Sequence, residues 1–203
     1  MANSFFELGE RRSARVHDLF SKIASRYDLL NDLQSFGLHR YWKRRVIELA
    51  DIRSGSRGLD LCCGTGDLAL ALARENAQVV GLDFSGPMLQ VAQRRSSQSR
   101  ENRSADSTTS GRGTLMFVQA DAQRIPFAES SFDIIIVGYG LRNLSSWEKG
   151  LQEMARIAAP AARLLVLEFG KPANRILRSL YFAYLKIFVP LLGFIFCGDD
   201  DSD

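Results

Sequence analysis

Cysteine is scarce in this 203-residue chain, and the three present, Cys62, Cys63 and Cys197, are too few and wrongly spaced for a disulfide framework or a zinc site. Two adjacent cysteines inside an apolar run read as small buried residues, and a reducing cytoplasm fits such usage. Apolar residues are also sparse at the start, where Met1 to Arg15 is charged and has no apolar centre, so export is not expected. Unbroken hydrophobic runs of membrane-crossing length are missing too. The stretch from Ile176 to Cys197 is long enough, but Arg178 and Lys186 interrupt it at about 2.5 to 3.5 kcal/mol each, so an amphipathic helix is expected. Nowhere do aromatic and basic residues interleave over a groove-sized stretch, which leaves a nucleic-acid partner without support.

What is present is an ordinary balance, 46% hydrophobic and 24% charged, sufficient for one globular domain with a core. The net charge of +3 conceals an asymmetry, since Asp199, Asp200, Asp201 and Asp203 close the chain and the remainder is more basic than that figure suggests. Arg40, Lys43, Arg44 and Arg45 form the densest basic cluster. Such a cluster suits either an anionic lipid surface or a solvated helix face.

Apolar residues recur at helical spacing in Val16 to Ala24 and in His39 to Ala50, with Asn31 to Gly37 as the turn between them, which predicts a helical, lid-like start. After Ser54, Gly55 and Ser56 the texture changes to short β-rich runs alternating with helical stretches. Five strands are expected, at Gly58 to Cys62, Gln78 to Leu82, Leu115 to Gln119, Phe132 to Val137 and Arg163 to Glu168. Helices at Asp67 to Glu75, Gly86 to Ser97 and Trp147 to Ala159 supply the crossovers. Right-handed crossovers then imply an α/β fold with a doubly wound, mostly parallel sheet, functional groups gathering at the strands' C-terminal ends. Ser96 to Gly113 is rich in Ser, Arg, Thr and Gly and reads as a mobile insertion.

The first strand runs through Asp60 and Cys62 into Gly64, Thr65 and Gly66 and then a helix, the form of a nucleotide-cofactor loop. Gly64 to Ala69 also satisfies the dinucleotide pattern G-x-G-x-x-A, so a nicotinamide enzyme remains an alternative at this point. Asp83 ends the second strand where an acid meets two ribose hydroxyls. Asp121 and Ala122 follow the third strand and precede Ile125, Pro126 and Phe127, a combination suited to an adenine amino group and a covered ring; a surface Asp capping a turn is the plainer reading. A carboxylate at Asp60 would oppose a pyrophosphate but favour a cofactor carrying ammonium and sulfonium charge. No Tyr-x-x-x-Lys pair accompanies the loop, which further disfavours the oxidoreductase.

Tyr27 to Asp32, Ser35 to Arg40, and Trp42 with Lys43 resemble the N-terminal signature of the ubiquinone/menaquinone C-methyltransferase family. Three further blocks agree in order: the Asp60 to Leu68 loop, Gly138 to Asn143, and Leu164 to Pro172. The Asp121 block likewise resembles the third cofactor motif of class I methyltransferases. The Cys62 and Cys63 pair, the Gly81 to Ser85 run and Gly138-Tyr139-Gly140 are closer to the naphthoquinone-methylating members. The resemblance implies a Rossmann-like methyltransferase sheet with an N-terminal helical lid, S-adenosyl-L-methionine as cofactor, and methyl transfer to a ring carbon of a prenylated quinol, most simply demethylmenaquinol.

Under that resemblance the cofactor set is Asp60, Gly64, Thr65, Gly66, Asp83, Asp121, Ala122 and Gly138, and the catalytic set is Arg142, Asn143 and Tyr27. Arg142 cannot act as an ordinary base and takes an electrostatic role toward the phenolate, while Tyr27 and Asn143 orient the ring oxygens. His39 is a reserve proton acceptor or a structural hydrogen-bonding group. Phe182, Phe188, Phe194 and Phe196 line a path for the prenyl tail or simply pack.

Relatives carry a serine at Gly138 and often a glycine at Cys62. They continue beyond Gly198 with two final strands, so a sheet truncated before those strands, with an open fifth strand, is expected. A single domain over 1–203 results, divided into an N-terminal helical segment (1–53), a cofactor-binding core (54–170) and a substrate-side helix with an acidic end (171–203). Expected partners are the prenylated quinol, a peripheral contact at the inner face of the membrane from the cytoplasm, and a homodimer or quinone-synthesis assembly. The remaining alternatives are another class I methyltransferase acting on a hydrophobic small molecule and a shortened, non-catalytic paralogue.

Overall fold

The computed structural model describes residues 35, 37–104, 113–170 and 173–197. The expected helix at Val16 to Ala24, the candidate Tyr27, most of the turn before Gly37 and the acidic end lie outside the described residues.

The described elements run α1 (Leu38–Ala50), β1 (Arg57–Leu61), α2 (Asp67–Arg74), β2 (Gln78–Asp83), α3 (Gly86–Ser104), β3 (Thr114–Gln119), β4 (Phe132–Gly138), a short 3-10 turn (Leu141–Asn143), α4 (Trp147–Ile157), β5 (Ala158–Leu167) and α5 (Arg175–Cys197). The strands form one sheet in the order β3-β2-β1-β4-β5, every pair parallel. The chain therefore leaves β1 in one direction to build β2 and β3, then returns to the other side of β1 for β4 and β5. That reversal opens a crevice at the C-terminal ends of β1 and β4.

Alternation along the central strands divides the core into two layers. Leu59, Leu61, Ile135 and Val137 pack with Met154 and Ile157 of α4 on one face. Ile134 and Ile136 pack with Val46 and Ala50 of α1 and with Leu68, Ala69 and Leu72 of α2 on the other. The helical start is thus held against the sheet, and Arg163 of β5 fastens its end through Leu49 O (2.9 Å) and Asp51 Oδ2 (2.6 Å).

Two expectations change. Ser96 to Ser104 continues α3 instead of opening a loop, with Ser96 buried. That run has no Gly or Pro, and Arg, Gln and Glu are good helix formers, so local propensity carries the helix where composition alone reads as irregular. At the other boundary α4 stops at Ile157 and β5 begins at Ala158, five residues before the expected start. Pro160 cannot continue a helix but is tolerated in an edge strand. The extra residues are absorbed by a bulge: Phe132 pairs with Ala158 but Ile134 with Arg163, and Ala161 takes φ 64°. Among the described residues β5 is an edge, and Leu164 and Val166 are exposed. No described helix is long and apolar enough to cross a membrane.

Candidate active site

At the end of β1 the backbone turns through three left-handed positions, Cys62 (φ 57°), Gly64 (φ 54°) and Gly66 (φ 82°), before α2 starts at Asp67. Gly66 is required twice over. Its φ disfavours a side chain, and an added Cβ would lie 3.0 Å from Ala92 Cβ and 3.2 Å from Phe117 Cζ, where α3 and β3 press on the turn. Cys62 adopts the same backbone region without being glycine, at a cost of about 1 to 2 kcal/mol.

Asp83, at the tip of β2, closes this turn from the side. Its Oδ2 accepts from Gly64 N and its Oδ1 from Ser85 N, both at 2.8 Å. Across the crevice Asp121 Oδ1 accepts from Gln123 N at 2.8 Å. Gln123 Oε1 in turn accepts from Ser145 Oγ (2.8 Å) and Ser146 N (2.9 Å), joining the loop after β3 to the loop after β4. The segment behind Asp121 is fixed from α4: Glu153 Oε2 accepts from Ile125 N (2.7 Å), and Arg156 donates to Ile125 O (2.9 Å) and Phe127 O (2.8 Å).

These loops enclose a cavity lined by Gly64, Asp83, Asp121, Ala122, Gly138 and Asn143 from the expected set. Its apolar walls come from Leu82 and Phe84, within the Gly81 to Ser85 run, and from Met88 and Leu144, which no motif contained. Ser85 also lines it, 4% exposed, and its Oγ has no hydrogen-bond partner among the described residues.

Asp60 is elsewhere. It is 1% exposed, lies outside the cavity lining, and its Oδ2 accepts from Ala69 N in α2 at 2.8 Å. Its neighbours Leu59 and Leu61 point to the α4 face, so pleating turns Asp60 toward α2. Burial pushes its pKa up to about 7, against the opposing pull of the Ala69 N–H and the Lys43 charge. It fixes the helix that follows the glycine turn. Thr65 is buried, its carbonyl accepting from Arg95 Nη1 at 3.3 Å. Thr65 and Gly66 shape the turn from behind and do not line the cavity. His39 is buried, with Nδ1 3.0 Å from Ser35 Oγ, which also accepts from His39 N at 3.2 Å, so the histidine is built into the start of α1.

At the mouth, Tyr139 (φ 61°) stacks on Phe169 at 4.3 Å between centroids, and Trp42 of α1 meets Phe169 edge-on at 6.0 Å. The Arg142 guanidinium lies over the same Phe169 ring at 5.2 Å, with Nε 3.8 Å from Glu168 Oε2. Arg142 is exposed and outside the cavity lining, while Asn143 lines it and donates from Nδ2 to Tyr139 O at 3.3 Å. Trp42, Tyr139 and Phe169 fall within the family-like blocks, but nothing in the sequence groups them as one aromatic cluster.

A parallel sheet of this order, with a glycine turn after β1 and acids at the ends of β2 and β3, is a Rossmann-like α/β fold with its crevice at the topological switch point. The fold agrees with solved structures: YcgJ from Bacillus subtilis is 27% identical with a TM-score of 0.56 over 74% of this chain and 60% of that one. A SAM-dependent methyltransferase from Aquifex aeolicus reaches a TM-score of 0.53 at 19% identity, over 72% and 76% of the two chains. The model of the ubiE/COQ5 methyltransferase family matches residues 8–203, and the chain belongs to that family. The ubiquinone/menaquinone biosynthesis C-methyltransferase UbiE of Azotobacter vinelandii is 42% identical over 95% of this chain and 73% of its own length. UbiE of Pseudomonas putida strain W619 is 39% identical over 95% and 72%. Family membership makes the chain a methyltransferase and removes the nicotinamide oxidoreductase.

Proposed function

We propose that this chain transfers a methyl group from S-adenosyl-L-methionine to a ring carbon of a prenylated quinol, demethylmenaquinol in the first instance, working in the cytoplasm at the inner face of the membrane. The observation that carries the reading is the cavity itself, in which Asp83 and Asp121 stand at two strand ends with apolar walls between them. Two carboxylates repel a pyrophosphate but accept from ribose hydroxyls and an adenine amino group. Leu82, Phe84 and Met88 suit a planar base, and the buried Ser85 hydroxyl needs a polar partner there. The residues present therefore fit an adenosyl sulfonium, which when bound supplies an electrophilic methyl group.

The chain's own contribution lies at the mouth. A phenol with a pKa near 10 is protonated at neutral pH, and its ring carbons gain nucleophilicity on losing that proton. Arg142, fixed by Phe169 and Glu168, is a permanent cation able to stabilise the oxyanion. Asn143 orients a ring oxygen from the cavity side. Trp42, Tyr139 and Phe169 give an aromatic acceptor an apolar, water-excluding margin.

Labelled methyl transfer tests this directly. With demethylmenaquinol and the corresponding demethylated benzoquinol offered separately, label is expected in the naphthoquinol. Label in neither quinol, with the cofactor bound, would remove the reading; label in the benzoquinol alone would move the substrate to the ubiquinone branch.

A further inference from the structure

We propose that Glu168 is the proton acceptor of the reaction, taking the hydroxyl proton of the ring that receives the methyl group. The inference rests on the quinol reading above and supplies the base that Arg142, a permanent cation, cannot be.

Parallel pairing of β4 with β5 ends at Gly138 and Leu167, and Tyr139 N donates to Leu167 O at 2.7 Å. Glu168 therefore leaves its strand beside the loop that carries Arg142 and Asn143. Both carboxylate oxygens face that loop: Oε1 accepts from Arg142 N at 3.3 Å, and Oε2 lies 3.8 Å from Arg142 Nε. Phe169, the next residue, carries the Arg142 guanidinium on its ring and stacks on Tyr139. The carboxylate is thus held half-buried at the aromatic mouth, beside the cation assigned to the oxyanion. Its charge also reaches the cavity. Burial first, and then the charges of Asp83, Asp60, Asp121 and Glu168, push the thiol of the cavity-lining Cys62 well above its ordinary pKa.

A carboxylate has about four lone-pair positions, so the bond from Arg142 N leaves room for a substrate hydroxyl. The neighbouring groups are committed elsewhere. Asp83 accepts from Gly64 N and Ser85 N, and Asp121 from Gln123 N, on the cofactor side. Asp67 is held between Lys43 and Arg95, Asp60 is buried against α2, and His39 is bonded to Ser35.

In the proposed step the ring O–H proton passes to a Glu168 oxygen, and the electron pair of that bond stays on the ring oxygen, where Arg142 stabilises it. Shared with the adjacent ring carbon, that density forms the new carbon–carbon bond to the methyl group. The sulfur–methyl bond breaks as it forms, its electron pair remaining on sulfur. The methylated carbon then gives up its hydrogen to water as a proton, and Glu168 returns its own proton to the ring oxygen. One proton is released for each methyl group, and no oxidant or reductant enters.

Glu168→Gln keeps an acceptor for Arg142 N and removes the basicity, which separates proton transfer from positioning. With whichever quinol the parent labels, it should lower kcat at neutral pH by about 10²- to 10⁴-fold and leave the calorimetric affinity for S-adenosyl-L-methionine unchanged. Above neutral pH its turnover should climb about tenfold per pH unit, because a phenol with a pKa near 10 increasingly ionises unaided. Glu168→Ala should regain turnover with added acetate, a small carboxylate that fits the vacated space. A further readout needs neither cofactor nor methyl transfer. The parent should bind a prenylated 1-naphthol about tenfold more tightly than its O-methyl ether, which has no proton to donate, and Glu168→Ala should bind the two alike. Turnover of Glu168→Gln within about twofold of the parent, or a deficit that is the same at every pH, would overturn the proposal. Should either variant lose cofactor affinity through misfolding, the parent still decides, since equal affinity for the naphthol and its ether would also overturn it. A parent that labels neither quinol removes the quinol reading itself, whereas a labelling parent matched by Glu168→Gln removes the assignment of Glu168 alone.

Discussion

Lys43 Nζ of α1 lies 2.6 Å from Asp67 Oδ2 at the first turn of α2. The other oxygen of the same carboxylate holds Arg95 Nη2 of α3 at 2.5 Å. One half-buried acid thus ties the helical start, the glycine turn and the second crossover helix, α3, together. Burial alone would raise the Asp67 pKa, but the two cations hold it below the ordinary value. Lys43→Met should destabilise the fold by about 1.5 to 3 kcal/mol, the usual worth of a charge-assisted bond, and weaken cofactor binding through the loosened turn. Urea midpoints and calorimetry with S-adenosyl-L-methionine check both effects; an unchanged affinity would show that the turn stands without this tie.

Asp60 gives the stability an unusual pH dependence. Its folded pKa, near 7, lies above the ordinary carboxylate value of 3.8. At pH below about 4 both states hold the proton. Between there and about 7 the folded state keeps a proton that the unfolded chain has released, so stability falls as pH rises through that window and then levels off. Asp60→Asn keeps an acceptor for Ala69 N and removes the titration. Relative to the parent it should gain a few kcal/mol between acid and neutral pH. Melting curves of the pair that stay parallel across the window would refute the assignment.

A steric pair is testable by a double-mutant cycle. A Cβ at Gly140 would collide with Cys62 Cβ, and Cys62 itself occupies a left-handed backbone position. Gly140→Ala should cost about 1 to 3 kcal/mol, and Cys62→Gly alone should be close to neutral because released strain offsets lost packing. Combining them should restore most of the loss. Additive denaturation energies would mean that the two loops do not meet as described.

For Arg142 the expectation is a separation of chemistry from cofactor binding. Its side chain lies at the mouth and outside the cavity lining. Arg142→Ala should lower kcat by about 10²- to 10³-fold, as loss of an oxyanion-stabilising group does elsewhere, and leave the calorimetric affinity for the cofactor unchanged. Undiminished turnover would take Arg142 out of the reaction.

Much of this architecture was legible in the sequence because parallel strands buried on both faces are near-continuous β-branched and aliphatic runs, as in Phe132 to Val137. Acids at strand ends were legible for the same reason, since Asp83 closes one such run and Asp121 comes just past Gln119 and Ala120 at the end of another. Asp60 is one residue inside its strand, where the pleat and not the motif decides which face a side chain takes, and this turns it toward α2. Ser96 to Ser104 is irregular by composition but helical by local propensity, and propensity prevails. Trp42, Tyr139 and Phe169 come from three distant segments, and only the folded sheet brings them to one place.

The Ser85 hydroxyl bears on selectivity. Removed from water with no hydrogen-bond partner among the described residues, it carries about 1 to 3 kcal/mol of desolvation. A guest that presents an oxygen or nitrogen at that point relieves the penalty, whereas a hydrocarbon of the same outline seals it in. The crevice is thereby biased toward occupants that present a heteroatom beside Ser85 and against plain hydrocarbons.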